Sequence, residues 1–554
     1  MNLANSDKLV FILYFVIVAS YGYWIYLKRK TREHDSKAFF LAEGSLTWWA
    51  IGASLIASNI SAEQFIGMSG NGYFVGIAVA AYEWIAAVSL IIIAIWFMPV
   101  YLKNKIYTMP QLLKTRYNES VAVIMAVFWL FLYVFVNLTS ILFLGSVAIS
   151  GLVGPEYLHT IMLALAAFAI FITLGGMKVI GYTDVIQVLV LIIGGLVTVF
   201  IALDKVSGGH GPLKGLSTVF KEAPEHFHMI LSKPDASSSQ EYISKYLILP
   251  GILMYAAGQW IANLNYWGCN QYITQRALGA DLPTARKGMV FASFLKLLMP
   301  VIVMLPGIAA YVLVKQGNLT PLEKQDGAYS AVLGFLPEGL KGLSVAALTA
   351  AIVASLAGKA NSISTIFTLD IYKKYISRDA SEKKLVITGR MTVLFAMMIA
   401  VLFTWNDLLG IGGAGGFTFI QKYTGFISPG VFAMFLLGLF WKRTTGAAAV
   451  AGLLTGFVLS VFFNEFAPQL LGHNTIFYTA YPNGKGGFEI PFLIAMGLAF
   501  MFAVLVMVIM SLAGPKVNPK AFVLEKEMFR LKPSLLALIV VVLMLIAALY
   551  IKFW

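Results

Sequence analysis

Within the apolar run from Ser45 to Gly70 stands Ser58-Asn59-Ile60-Ser61-Ala62-Glu63-Gln64, a polar interruption that a continuous lipid-facing helix places only at high cost. Five apolar runs later the pattern returns, where Tyr246 to Gly268 holds Gln259, Asn263 and Asn265 among aromatics, flanked by Gly258 and Gly268. Two interrupted helices, each opening a block of five, are the sequence mark of a transporter built from inverted repeats. Five is odd, so the two blocks enter the membrane from opposite sides. Unwound segments there free backbone carbonyls and helix-end N–H groups at the bilayer midplane, where a substrate and an ion replace the missing hydrogen bonds. Helix kinks satisfied by Ser and Asn side chains would leave the same trace.

The rest of the chain agrees. Of its 554 residues 59% are hydrophobic and 12% charged, with a mean hydropathy of +0.82, where soluble domains carry about 25% charged residues. A water-soluble enzyme is excluded. Apolar runs long enough to cross a ~30 Å hydrocarbon core recur from Leu9 to Phe553. Stretches such as Val88 to Phe97 are apolar on every side, which excludes the alternating pattern of a β-barrel. The reading is an all-α polytopic membrane protein of about fourteen helices, near 8–27, 46–70, 76–102, 119–150, 159–178, 182–204, 246–270, 288–314, 334–371, 385–405, 412–440, 446–466, 488–514 and 533–553. It divides into an N-terminal extra helix and cytoplasmic linker (1–45), a first five-helix repeat (46–205), an extracellular loop (206–245) acting as a surface cover, a second repeat (246–441) and C-terminal flanking helices (442–554).

Charge and cysteine narrow the chemistry. With both termini outside, most of the 40 lysines and arginines fall in cytoplasmic loops, the bias expected of a multi-pass protein of the inner (plasma) membrane. The net charge of +14 then reports anchoring to anionic lipid rather than to nucleic acid. Lys28-Arg29-Lys30 follows the first apolar run with no small-residue cleavage site, so that run reads as a retained helix. The single cysteine, Cys269, excludes an intrachain disulfide and thiol-based metal clusters. The six histidines fall in or beside loops, which leaves no imidazole relay and no base for an intramembrane hydrolase.

Polar groups inside apolar spans need partners, and here they are Asn59, Glu63, Gln64, Glu83, Asn137, Asp184, Gln259, Asn263, Asn265, Lys296, Ser355, Lys359, Gln421 and Lys422. Amides and carboxylates supply paired donors and acceptors that suit vicinal hydroxyls, and Tyr82, Tyr266 and Phe417 supply flat apolar faces. Together they describe a sugar-sized polyol site. An interhelical hydrogen-bond network without ligand would use the same residue types.

Ser58-Asn59-Ile60-Ser61-Ala62-Glu63-Gln64-Phe65-Ile66-Gly67-Met68-Ser69-Gly70 and Tyr82-Glu83-Trp84 closely resemble bacterial sodium/galactose cotransporters of the sodium:solute symporter family. Phe135 to Ser140, Thr183 to Val188, Tyr266-Trp267-Gly268, Asn270-Gln271-Tyr272, Tyr423-Thr424-Gly425 and Ser428-Pro429-Gly430 extend the match nearly end to end. The resemblance implies the leucine-transporter-type fold of inverted five-helix repeats. It puts Gln64, Glu83, Asn263, Lys296 and Gln421 on the sugar hydroxyls, with Asn59 nearby and Asn137 bracing the site. It makes Met68, Tyr82 and Phe417 an outer lid and Tyr266 the inner gate beneath the ring. The sodium ligands implied are oxygens of Ala57, Ile60, Ala351 and Ser355, and Asp184 lines the ion's exit.

Three departures stand out. Ala354 and Ala86 occupy positions where the family pattern has serines, and Lys359 stands one helical turn beyond Ser355, where Asp184 is its expected partner. The expected activity is symport of a hexose-like sugar, galactose or glucose, with sodium by alternating access, without cofactors or covalent chemistry. Sugar transport coupled to protons or to no ion, with Lys359 standing in for the coupling ion, is the alternative that Ala354 and Lys359 raise. A sugar sensor is the alternative of another class.

Overall fold

The computed structural model describes residues 4–27, 46–61, 63–409 and 416–554, apart from the side chains of Glu63 and of 416–420. Among the described residues, twelve helices are long and apolar enough to span a membrane, from Asn5–Leu27 to Pro533–Lys552. A thirteenth span is broken: Gln240–Ala256 and Gly258–Cys269 meet at an 82° bend. The run at 48–74 is broken as well. Its first helix, Trp48–Asn59, ends where Ile60 turns extended (φ −83°, ψ 111°), and the chain resumes helical winding at Glu63–Met68 and Ser69–Phe74. Among the described residues the twelve to thirteen spans agree with an all-α polytopic chain of about fourteen helices.

The second break lies beside Gly258. The chain bends at Ala257 (φ −109°, ψ −109°), ahead of the polar residues, and Gln259 and Asn263 lie inside the helix Gly258–Leu264 that follows. Gly258 is required there because a Cβ would meet the Leu493 carbonyl oxygen at 2.5 Å. The segment 206–245 contains short regular elements. Proline starts the helix Pro212–Glu222, Ser239 caps Gln240–Ile248, and His226 is buried with Nε2 2.9 Å from the Tyr73 carbonyl oxygen.

Packing divides the chain into two compact units that interleave along the sequence. One comprises Met1–Ile77, Ala126–Phe227 and Gln271–Ile420; the other comprises Ala78–Met125, His228–Asn270 and Gln421–Trp554. Each draws on both expected repeats. In the first unit, Leu340–Thr365 is almost wholly buried and packs on Met177–Val206, Leu158–Leu174 and Asn5–Leu27. Trp48–Asn59 crosses Leu282–Val303 at two glycines: a Cβ on Gly52 would meet the Gly288 carbonyl oxygen at 2.8 Å, and one on Gly288 the Trp48 carbonyl oxygen at 2.9 Å. Small residues let the backbones close up where lipid tails give no hydrophobic drive between helices. In the second unit Ser428–Phe440, Gly446–Val461 and Phe492–Leu512 pack together. Buried Arg116 ties that unit's loops by donating to the carbonyls of Gly438 (2.6 Å), Trp441 (3.0 Å) and Thr444 (3.1 Å).

Candidate functional site

The first break leaves carbonyls without helical partners, and hydroxyls from two other helices converge on them. Ser355 Oγ donates to the Ser58 carbonyl at 2.9 Å and lies 3.4 Å from that of Ile60, while the Tyr272 hydroxyl also donates to Ser58. Ala57, Ile60, Ala351 and Ser355 are all buried in one unit, Ala57 on Trp48–Asn59, Ile60 just beyond its end, and Ala351 and Ser355 on Leu340–Thr365. Ala354 is buried on the same helix, one residue before Ser355, and offers a methyl group in place of a hydroxyl. A cluster of carbonyl and hydroxyl oxygens is the environment a hard cation takes.

Below Ser355 the pairing differs from expectation. Asp184 Oδ2 accepts from Ser54 Oγ at 2.5 Å and lies 3.9 Å from the Arg276 guanidinium. Arg276 Nε reaches Ser54 Oγ at 2.9 Å and the Ser54 carbonyl at 3.1 Å. Lys359 is therefore not the cation on Asp184. It donates to Asn137 Oδ1 at 2.6 Å, and its ammonium lies 4.7 Å from the centre of the Tyr272 ring, the ring that Arg276 approaches at 4.9 Å. Gly358 makes room for this stack, since a Cβ there would meet Arg276 Nη2 at 2.3 Å and Tyr272 Cε2 at 2.7 Å. Asn137 thus holds Lys359, and the site's principal cation, Arg276, went unread in the sequence. It lies on the short helix Gln271–Leu278, which has no membrane-length apolar run to announce it.

The residues expected on the sugar fall into both units. In the first, buried Lys296 donates to Asn59 Oδ1, Met68 is buried, and Gln64 Oε1 is buried without a hydrogen-bond partner among the described residues. Lys296 is held in the helix Leu282–Val303, one turn before Pro300. In the second unit, Glu83 is 2% exposed in the first turn of Ala81–Ile92, and Gln421 lies beside the hydroxyl of Tyr82. Asn263 Nδ2 donates to the Gln259 carbonyl at 2.9 Å, and Asn265 Nδ2 to Ser428 Oγ at 3.1 Å. Both amide atoms of Gln259 are buried without a hydrogen-bond partner among the described residues. Tyr266 is half-buried, its ring edge-on to Trp267 at 5.3 Å. The side chains of Phe417 and Glu63 lie outside the described residues.

Comparison with known proteins finds the sodium:solute symporter family model matching residues 39–456. A sodium/glucose cotransporter of Vibrio parahaemolyticus is 42% identical over an alignment of 570 residues covering 100% of this chain and 99% of that protein. Sodium/myo-inositol cotransporter 2 of Oryctolagus cuniculus is 33% identical, covering 83% of this chain and 69% of that one. Among solved structures, a substrate-bound, outward-open Na+-coupled sialic acid symporter superposes with a TM-score of 0.76 at 19% identity, over 93% of this chain and 99% of its own. That likeness is one of fold, and the fold is of the leucine-transporter type.

Proposed function

Because the chain belongs to the sodium:solute symporter family, we propose that it imports a hexose-like sugar, glucose or galactose, by coupling its passage to sodium entry through alternating access. The observation that carries this reading is the buried oxygen cluster at the break after Asn59, met by Ser355, in a chain 42% identical end to end with a sodium/glucose cotransporter. Sodium takes the carbonyls of Ala57, Ile60 and Ala351 and turns the Ser355 hydroxyl from donor to ligand. The residues that the family resemblance assigns to the sugar, Asn59, Gln64 and Lys296 of the first unit and Glu83, Asn263 and Gln421 of the second, carry amides, a carboxylate and an ammonium that offer both donors and acceptors to hydroxyls. The resemblance assigns the outer gate to Met68, Tyr82 and Phe417 and the inner gate to Tyr266.

The repeats run over 46–205 and 246–441 in the plasma membrane, with both termini outside, as the distribution of lysine and arginine favours. Asp184 lines the ion's exit and is held in place by Arg276 and Ser54, while Asn137 positions Lys359. A second reading, in which the sugar moves with a proton or alone, is favoured by two features: the methyl group of Ala354 in the ion shell and the Lys359 charge one turn away. Equilibrium binding of labelled glucose tests the coupling directly. Sodium should tighten it and potassium should not, because two ligands that favour one conformation raise each other's affinity. Equal affinity in both salts would favour the second reading.

A further inference from the structure

The first helix, Asn5–Leu27, belongs to neither expected repeat, yet it is fastened to both helices that carry the proposed ion path. The helix Leu340–Thr365, which bears Ala351, Ser355 and Lys359, begins after Gly339 (φ +84°), a residue with no side chain to cap it. The first N–H groups of a helix need acceptors from outside it. Asp7 provides them from the first helix: its Oδ1 accepts from the backbone N–H groups of Gly339 and Gly342, both at 2.7 Å, and its Oδ2 accepts from that of Ala4 at 3.2 Å. Asp7 is 1% exposed. Gly342 lets the two backbones meet, since a Cβ there would stand 2.5 Å from the Asp7 carbonyl oxygen. A carboxylate at this end also complements the partial positive charge of a helix N-terminus.

Towards its other end the same helix lies against Met177–Val206. A Cβ on Gly22 would touch Thr183 Cγ2 at 3.3 Å, next to Asp184, and the buried Tyr14 hydroxyl lies near Gln187, one turn further on. Fixing the start of Leu340–Thr365 fixes Ser355 as well. The two are about 20 Å apart at the ~1.5 Å rise per residue, and a packed helix carries an axial slip at its start along that length. Ser355 Oγ meets the Ser58 carbonyl in the register that Asp7 holds. Slack at the cap lowers the fraction of molecules in which the hydroxyl is seated, and apparent sodium affinity falls by that fraction.

We propose that Asp7 is a positioning residue for sodium: by capping Leu340–Thr365 from the first helix, it keeps Ser355 in register with the break after Asn59. This rests on the sodium-coupled reading. The test titrates sodium against binding of labelled glucose to the purified full-length chain, and records sugar affinity at saturating sodium and the thermal midpoint alongside. Asp7→Ala should raise the sodium concentration for half-maximal binding about three- to tenfold, the range that lost helix caps give, and leave sugar affinity at saturating sodium unchanged. Asp7→Asn, which keeps the acceptor and loses the charge, should shift it about twofold. Gly342→Ala, which forces the same two backbones apart, should repeat the Asp7→Ala shift. Gly215→Ala, which strains Pro212–Glu222 against the Leu203 carbonyl oxygen, should lower the midpoint without moving the sodium response. If Asp7→Ala does not fold, the shifts in Asp7→Asn and Gly342→Ala decide. A sodium response unmoved in the Asp7 and Gly342 variants, or a shift that Gly215→Ala reproduces, would overturn the proposal and leave the coupling reading intact. Wild-type sugar binding indifferent to sodium would overturn the coupling reading and this proposal with it.

Discussion

The Lys359 ammonium is held by Asn137, whose Oδ1 it meets at 2.6 Å, while Asp184 is matched by Arg276 on another helix. Two cations thus occupy the region beneath the break after Asn59, and they share the ring of Tyr272, whose hydroxyl donates to the Ser58 carbonyl. Under the proposed sodium site, that arrangement bears on the strength of sodium coupling.

Lys359 should weaken sodium binding. At ~8 Å and an effective dielectric of 20, Coulomb's law gives ~2 kcal/mol of repulsion, about 30-fold as an upper bound. Lys359→Met should lower the sodium concentration for half-maximal uptake, and Ala354→Ser, which restores a hydroxyl, should add to that. Sodium titration of uptake in the single and double variants measures it; no change in the double variant would count against sodium at this site.

Arg276 should matter for stability before it matters for transport. Removing one member of a buried pair leaves the other charge uncompensated, at a cost of about 3–5 kcal/mol. Arg276→Ala should lower the thermal midpoint sharply, and the pair Asp184→Asn with Arg276→Met should recover most of the loss. A mild effect of Arg276→Ala alone would mean that Ser54 suffices for Asp184.

Glu83 is 2% exposed and offers an acceptor that only charged hydrogen bonds repay. Glu83→Ala should cost ~1.5–3 kcal/mol of sugar affinity, roughly 10- to 150-fold. Calorimetric titration with galactose and glucose reads this, and unaltered affinity would remove Glu83 from the site.

The breaks and the spans were legible because their signals are local: Ser58 to Gln64 is polar where lipid demands carbon, and apolar runs have the length of a bilayer. The ion pairing was not. Whether Asp184 meets Lys359 or Arg276 depends on how Leu340–Thr365 faces its neighbours, and the only local hint was Gly358, a side-chain-free position beside Lys359 that admits Arg276 and Tyr272. The second break falls at Ala257, beside the flanking Gly258, because backbone geometry sets it, and the polar residues line the helix that follows.

Tyr266 should serve the sugar by its ring rather than its hydroxyl. Tyr266→Phe should still transport measurably and Tyr266→Ala should not, since aromatic contact with an apolar sugar face survives only in the first. Equal loss of uptake in both would assign the role to the hydroxyl.

Uptake of labelled glucose and galactose into proteoliposomes under an imposed inward sodium gradient, compared with an imposed proton gradient and with none, tests the coupling of sugar to sodium most directly. Accumulation above the outside concentration should occur with the sodium gradient and collapse when sodium is equal on both sides. Accumulation driven by the proton gradient alone, or equilibration without accumulation under every gradient, would contradict it.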